Sequence, residues 1–282
     1  MTHKINFFLT KVFNVLLTPF NGVNDFWPIL ILSVILSFII LYILKFISFP
    51  KKIVESKEKI KANIFAIRIY KDFWKVIVSS FFKSLFHTFR YFIFNFAPFL
   101  IIIPLLLPVF SQMEVRYGMR PFNPGETFVL KADLEKEYLK SEVSLDENES
   151  VKPKMRPVFI NAWLDEEKTK SISVANWKLE AVKEGNVKLG IRIGERVFYK
   201  SIVVGTSQDP LSNRKYRDSN LNHFFYPVES LIENNEVLKS LKISYPGKLV
   251  NFLGIKMHWI LWNLVIVLIV ILAFRKRFGV EF

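Results

Sequence analysis

The sequence contains no cysteine. A disulfide framework, a thiolate metal site and a cysteine nucleophile are thereby excluded. Glycine is scarce, with 10 in 282 residues, and none falls between positions 50 and 90. No Gly-rich phosphate loop and no G-x-S-x-G elbow occur. His223 and His258 have no partner at metal-ligand spacing, and the acidic run Asp165, Glu166, Glu167 reads as a turn at a strand end. No catalytic residue, metal or cofactor is expected, and the chain is read as a non-enzyme. Formal charge is also missing from three long stretches, Phe26–Leu44, Tyr91–Met113 and Met257–Phe274.

What fills those stretches is apolar. Hydrophobic residues make up 51% of the chain and mean hydropathy is +0.27, too apolar for an ordinary water-soluble domain. Crossing a bilayer takes roughly 20 apolar residues in a helix, and in lipid the backbone must satisfy its own polar groups. Three transmembrane helices are predicted, over 26–49, 91–113 and 257–274. Ahead of them, residues 1–25 include "INFFLTKVFNVLLTPF", where His3, Asn6, Thr10, Asn14 and Thr18 recur every three or four positions against an apolar remainder. That pattern predicts an amphipathic helix lying along the membrane surface.

The net charge of +14 is unevenly distributed. Between Pro50 and Arg90 there are 10 Lys/Arg against 3 Asp/Glu, whereas 114–256 has 23 against 20. Basic short segments mark the cytoplasmic side, and long loops escape this rule. Residues 50–90 and the tail 275–282, which opens "RKR", are therefore placed inside. Three crossings then put the N-terminus and 114–256 outside, across the cytoplasmic (inner) membrane. No stacking motif supports a DNA partner; the bilayer is the first partner.

Residues 50–90 carry Ile53, Ile60, Ile64, Ile67, Trp74, Val78, Phe81 and Leu85 near heptad spacing. A basic helical hairpin is predicted, turning near Lys71–Trp74 or near Ser79–Ser80. Beyond 114 the period changes to alternation. "TFVLKADL", "PVFINAWL", "SISVANWKLEAV", "VKLGIRIG" and "RVFYKSIVVG" read as strands of a small antiparallel β-sandwich, with Trp163 and Trp177 in its core. "TSQDPLSNRKYRDSN" reads as a loop, and "YPVESLIENNEVLKSL" as holding a short helix. The fold class is membrane α+β: three transmembrane helices, a cytoplasmic helical hairpin and an extracytoplasmic β-sandwich.

The first span closes on Lys45-Phe46-Ile47-Ser48-Phe49-Pro50, followed by "KKIVESKEKIKA", with "RIYKD" at the expected hairpin turn and Pro98, Pro104 and Pro108 in the second span. This order resembles the YidC/Oxa/Alb superfamily of membrane-protein insertases, whose first core span ends with a basic residue five before a proline and leads into a basic cytoplasmic hairpin. The likeness covers about residues 5–113 plus a third span. The chain departs from the bacterial members in having three spans rather than five. It also departs in carrying 114–256 after the second span. The whole pattern is similar, too, to bacterial membrane proteins with no function attached. The resemblance implies a membrane insertase or chaperone with a hydrated groove formed around Lys45, Ser37 and Asn95, and a hairpin turn at Lys71 and Asp72. It implies nascent membrane proteins as clients and the ribosome or a translocase as partner. The residues alone allow Lys45 to snorkel to the headgroups instead. They also allow a scaffold subunit of an envelope complex that binds an extracytoplasmic protein.

Overall fold

The computed structural model describes residues 2–20, 22–135, 143–146, 148–163, 171–206, 209–217, 228–233 and 237–280. Three of its helices are long and apolar enough to cross a membrane, and they are joined to several antiparallel sheets. The organisation is that of a membrane α+β protein. Two compact units divide the chain, one of residues 1–26 and 107–260, the other of 27–106 and 261–282.

The second unit is helical. Helix α2 (Phe26–Ile47) buries Ile29, Ser33, Leu36, Ser37, Ile40, Leu41 and Leu44, a stripe at three- and four-residue intervals. Helix α5 (Trp259–Phe278) meets that stripe: Asn263 Nδ2 donates to Ser33 Oγ at 2.7 Å. Further along, the Phe38 and Phe274 rings meet edge to face at 5.2 Å. The contacts advance together, so the two helices run in the same direction. Helix α3 (Pro50–Ile69) begins at Pro50, a residue suited to a helix's first turn because its missing N–H would find no partner there.

Helix α4 (Trp74–Met113) is one uninterrupted helix of 40 residues, about 60 Å long. The sequence reading divides it at residue 90 into a hairpin arm and a span; the structure has no break there. Arg90 carries the only positive charge near that point, and nothing in the helical period stops. Pro98, Pro104 and Pro108 lie inside α4 without ending it, as transmembrane helices tolerate. A π-helical turn, Glu114–Gly118, closes it.

The first unit holds helix α1 (Thr2–Leu17), the last turns of α4 and the β-domain. One sheet has the order β3-β5-β1-β9-β8, with β4 also paired to β5, and a second has the order β2-β6-β7. The strands are β1 Thr127–Leu134, β2 Val143–Leu145, β3 Val151–Pro153, β4 Val158–Trp163, β5 Ser171–Ala181, β6 Gly185–Ile193, β7 Arg196–Val204, β8 Arg214–Tyr216 and β9 Leu238–Ile243. All their pairings are antiparallel. Strand β1 buries Phe128, Leu130, Ala132 and Leu134 and turns the alternate residues outward, as period-2 alternation dictates. These join Trp177 and Leu179 of β5 and Leu189, Ile191 and Ile202 of the second sheet in one hydrophobic core, so the two sheets form a sandwich. Tyr245 stacks on Phe122 at 4.6 Å, and its hydroxyl accepts the Val203 N–H at 3.0 Å. Burial pushes the Tyr245 hydroxyl pKa up.

Three readings of this region change. The stretch read as a short helix contains β9, paired with β1 and inserted into the core through Leu238, Leu241 and Ile243. The stretch read as a loop contains β8, paired with β9. The approach to the last span folds into a hairpin of β10 (Val250–Phe252) and β11 (Ile255–Met257). Its two-residue turn, Leu253–Gly254, has φ of 51° and 84°, the left-handed pair that the tightest hairpins need. Trp163 lies in β4 by its backbone, but its side chain falls outside the described residues, as do Asp165, Glu166, Glu167 and His223.

Trp177 is 2% exposed at the centre of the core. Trp177→Ala is expected to lower the stability of the β-domain by roughly 3–5 kcal/mol, the range for large aromatic-to-alanine core changes. Denaturation of the full chain in detergent, followed by near-UV circular dichroism, measures it.

Candidate functional site

Lys45 stands in the last turn of α2 and is exposed, while Leu41 and Leu44 beside it are buried. Among the described residues it makes no hydrogen bond or ion pair. A cation there is favoured by the helix C-terminal dipole, by roughly 0.3–1 kcal/mol. Placed in hydrocarbon it would cost roughly 2.5–3.5 kcal/mol on insertion scales.

Ser37, grouped with Lys45 by the resemblance, is fully buried and donates to the Ser33 carbonyl at 2.6 Å. It belongs to the seam that α2 presents to α5, where Asn263 reaches Ser33. A polar contact between apolar helices contributes about 0.6–2 kcal/mol and fixes register. Asn95, half-buried on α4, donates to the Tyr91 carbonyl at 2.8 Å. No hydrogen bond joins Lys45, Ser37 and Asn95 to one another. The two polar side chains spend donors on their own helices, while Lys45 keeps its ammonium and Asn95 its amide oxygen uncommitted among the described residues.

The turn of the helical hairpin falls at residues 70–73, with Lys71 and Asp72 both exposed in it. Its arms are antiparallel. Glu55 of α3 lies 3.8 Å from Arg90 of α4, Lys52 sits over the Phe94 ring at 5.1 Å and Lys57 over Tyr91 at 5.4 Å. Ile53 and Ser56 are buried on the inner side. The tip carries Ile69, Tyr70, Phe73 and Trp74, all at least half exposed, together with the basic Arg68, Lys71 and Lys75.

In the first unit a polar cluster ties α1 to the end of α4. Gln112 Nε2 donates to Thr10 Oγ1 at 3.0 Å. The Arg116 guanidinium donates to Gln112 Oε1 and to Asn14 Oδ1, both at 2.6 Å, and lies over the Phe13 ring at 5.6 Å. Phe13 and Leu17 of α1 are buried, Thr10 and Asn14 are tied to α4, and Phe8 and Val15 are exposed at 65% and 76%.

One buried pair lay beyond sequence reasoning. Lys200 on β7 is 0% exposed; its ammonium donates to Glu229 Oε2 at 2.8 Å and to the Ser212 carbonyl at 2.7 Å. Glu229 Oε1 accepts the Ser201 N–H at 2.9 Å. Together they fasten two connecting segments, 209–213 and 228–233, to one strand. The sequence signal was weak: Lys200 takes an inward position of an otherwise alternating strand. Burial holds the Lys200 pKa below the usual lysine range, with Glu229 pulling it back up in part.

No protein-family model, no curated relative and no solved structure matches the chain.

Lys200→Met alone should cost roughly 3–5 kcal/mol, because it strands a buried carboxylate. Adding Glu229→Gln should recover most of the loss, since the amide still accepts from Ser201. A double-mutant cycle on denaturation midpoints measures the coupling. In the wild type, the folded chain releases the Lys200 proton before the unfolded chain does. Stability therefore gains a contribution that grows as pH rises from the lowered folded pKa to the ordinary lysine range. Lys200→Met should flatten that part of the profile.

Proposed function

We propose that the chain is a non-enzymatic insertase or chaperone for membrane proteins in the cytoplasmic membrane. Residues 50–90 and the C-terminus face the cytoplasm in this reading; the N-terminus and 114–256 lie outside. The observation that carries it is Lys45: a cation at the end of an apolar helix, exposed and, among the described residues, bound to no protein group. An uncommitted cation can keep water in a cleft of the bilayer and offer a passing polar segment a charge to rest against. The hairpin beside it presents a basic and aromatic tip, Arg68 to Lys75, where a ribosome, a translocase or a nascent segment could be met. Ser37 and Asn95, the other residues of that cleft, each give one donor to their own helix, and the Asn95 amide oxygen is left to meet water or a client.

The sidedness follows from the positive charge of 50–90. The absence of native cysteine makes the test clean. A single cysteine at Lys71 should be shielded from an impermeant thiol reagent outside intact cells, and one at exposed Lys188 on β6 should be labelled. Labelling at position 71 would reverse the topology and remove the insertase reading with it.

Function at Lys45 should follow charge rather than shape. With the native protein depleted and variants at matched abundance, Lys45→Arg should restore the inner-membrane proteome. Lys45→Leu should insert well yet fail clients with charged translocated segments, and Lys45→Glu should be worst. Full rescue by Lys45→Leu would leave Lys45 as a headgroup anchor. The chain would then be better read as a scaffold subunit, with Val158 and Ile160 exposed on β4 as the start of a partner surface.

A further inference from the structure

The hairpin of β10 and β11 has an unusual tip. Among the described residues Leu253 is the one non-glycine residue with positive φ, at 51°. It is also the most exposed of their large hydrophobic side chains, at 85%. In water it would be unfavourable twice over. A bulky side chain resists left-handed backbone, which asparagine adopts more readily, and apolar surface is better removed from water. Asparagine would suit the turn and the solvent; leucine suits neither.

The rest of the hairpin is two-faced. Val250 pairs with Met257, Phe252 with Ile255, and Asn251 with Lys256. Cross-strand partners share a face and successive residues alternate. The first two pairs therefore lie on one apolar face, and Asn251 and Lys256 lie on the opposite, polar one. On the apolar face Val250 is buried, while Ile255 beside the tip is 54% exposed. Lys256 is exposed on the other side.

The hairpin is held at the start of two long helices. Phe252 stacks on Phe26, the first residue of α2, with ring centroids 3.6 Å apart and an interplanar angle of 8°. Asn24 Nδ2 donates to the Asn251 carbonyl at 3.1 Å, and Lys248 pairs with Asp25 at 2.8 Å. At the other end a single residue separates Met257 from Trp259, where α5 begins. Both α2 and α5 are long and apolar enough to cross a membrane. Ahead of the hairpin, Gly247 bridges to Met119 of the β-domain core. The tip is thus tied to the β-domain and stands one residue beyond a ring packed on the first turn of a span.

We propose that the β10–β11 hairpin inserts its tip, Leu253 and Ile255, into the phospholipid leaflet that α2 and α5 enter, and so anchors the β-domain to the membrane surface. Lipid gives Leu253 the apolar surroundings that water denies it. Lys256, on the polar face, stays among the headgroups. Continuity with the starts of two spans favours lipid over a second polypeptide as the occupant. The inference holds on whichever side of the membrane the β-domain lies, and whether or not Lys45 serves insertion.

The test is spin labelling of the full-length chain, one copy per nanodisc of phosphatidylcholine and phosphatidylglycerol. The sequence has no cysteine to remove. Single labels are placed through Ile255→Cys and Lys256→Cys. Lys188→Cys, exposed on β6, is the water reference, and Leu268→Cys, half-exposed on α5, is the hydrocarbon reference. Power saturation compares access to oxygen, which enters lipid, with access to a nickel chelate, which stays in water. The oxygen-to-nickel ratio at 255 should lie well above that at 188 and 256 and approach that at 268. Leu253→Asn in the Ile255→Cys background should bring the ratio down to the Lys188 value. Asparagine suits the turn better than leucine, so that fall reports lost lipid contact and not a broken hairpin. A ratio at 255 equal to that at 188, or one that Leu253→Asn leaves unchanged, would overturn the proposal. Poor access to both reagents at 255 would place protein over the tip and would overturn it as well.

Discussion

Hydrocarbon offers no hydrogen bonds, and that absence of water decides how this chain is built. A backbone that crosses it must satisfy its own N–H and C=O groups, so each long uncharged stretch becomes a helix. Everything that needs water or cross-chain pairing is then confined to what lies between or beyond the helices. The sheets occupy the single long stretch between α4 and α5, and the largest excess of basic over acidic residues lies in the α3–α4 hairpin. Within the helical unit the same scarcity raises the value of one polar contact: Asn263 to Ser33 gives two otherwise uniform apolar helices a definite register.

The helices were legible because their signal is long. Heptad-spaced isoleucines and the missing glycines foretold α3, and uninterrupted apolarity foretold α2. Five of the six strands of six or more residues were legible for the same reason, as in β1, where every second residue is buried. Short elements were not. Strands β8, β10 and β11 have three residues each, fewer than alternation needs to declare itself. Strand β9 was masked by leucines and lysines, whose helix propensity was overruled by pairing with β1.

Of the features near the membrane, Lys45 and the hairpin turn could be found from spacing. The roles of the other polar residues could not. Ser37 and Asn95 are bonded to the turn before them, a choice serines and asparagines often make within helices and one that no sequence period records. Thr10 and Asn14 looked like a face for water, yet they meet Gln112 and Arg116 from 102 positions away. The same is true of Lys200, whose carboxylate partner is 29 residues distant. Long-range polar partners are set by the fold, and only the fold displays them.

Helix α4 has a mechanical property that follows from its prolines. A proline has no N–H to give to the carbonyl four residues earlier. Pro98, Pro104 and Pro108 therefore leave the carbonyls of Phe94, Leu100 and Pro104 without their usual helical donors. Over those roughly four turns the helix has fewer internal struts than anywhere else along its length. Bending energy is lowest where struts are missing, so flexure of this rod concentrates between Phe94 and Pro108. The hairpin arm ahead of that segment and the π-helical turn behind it are left as comparatively stiff ends.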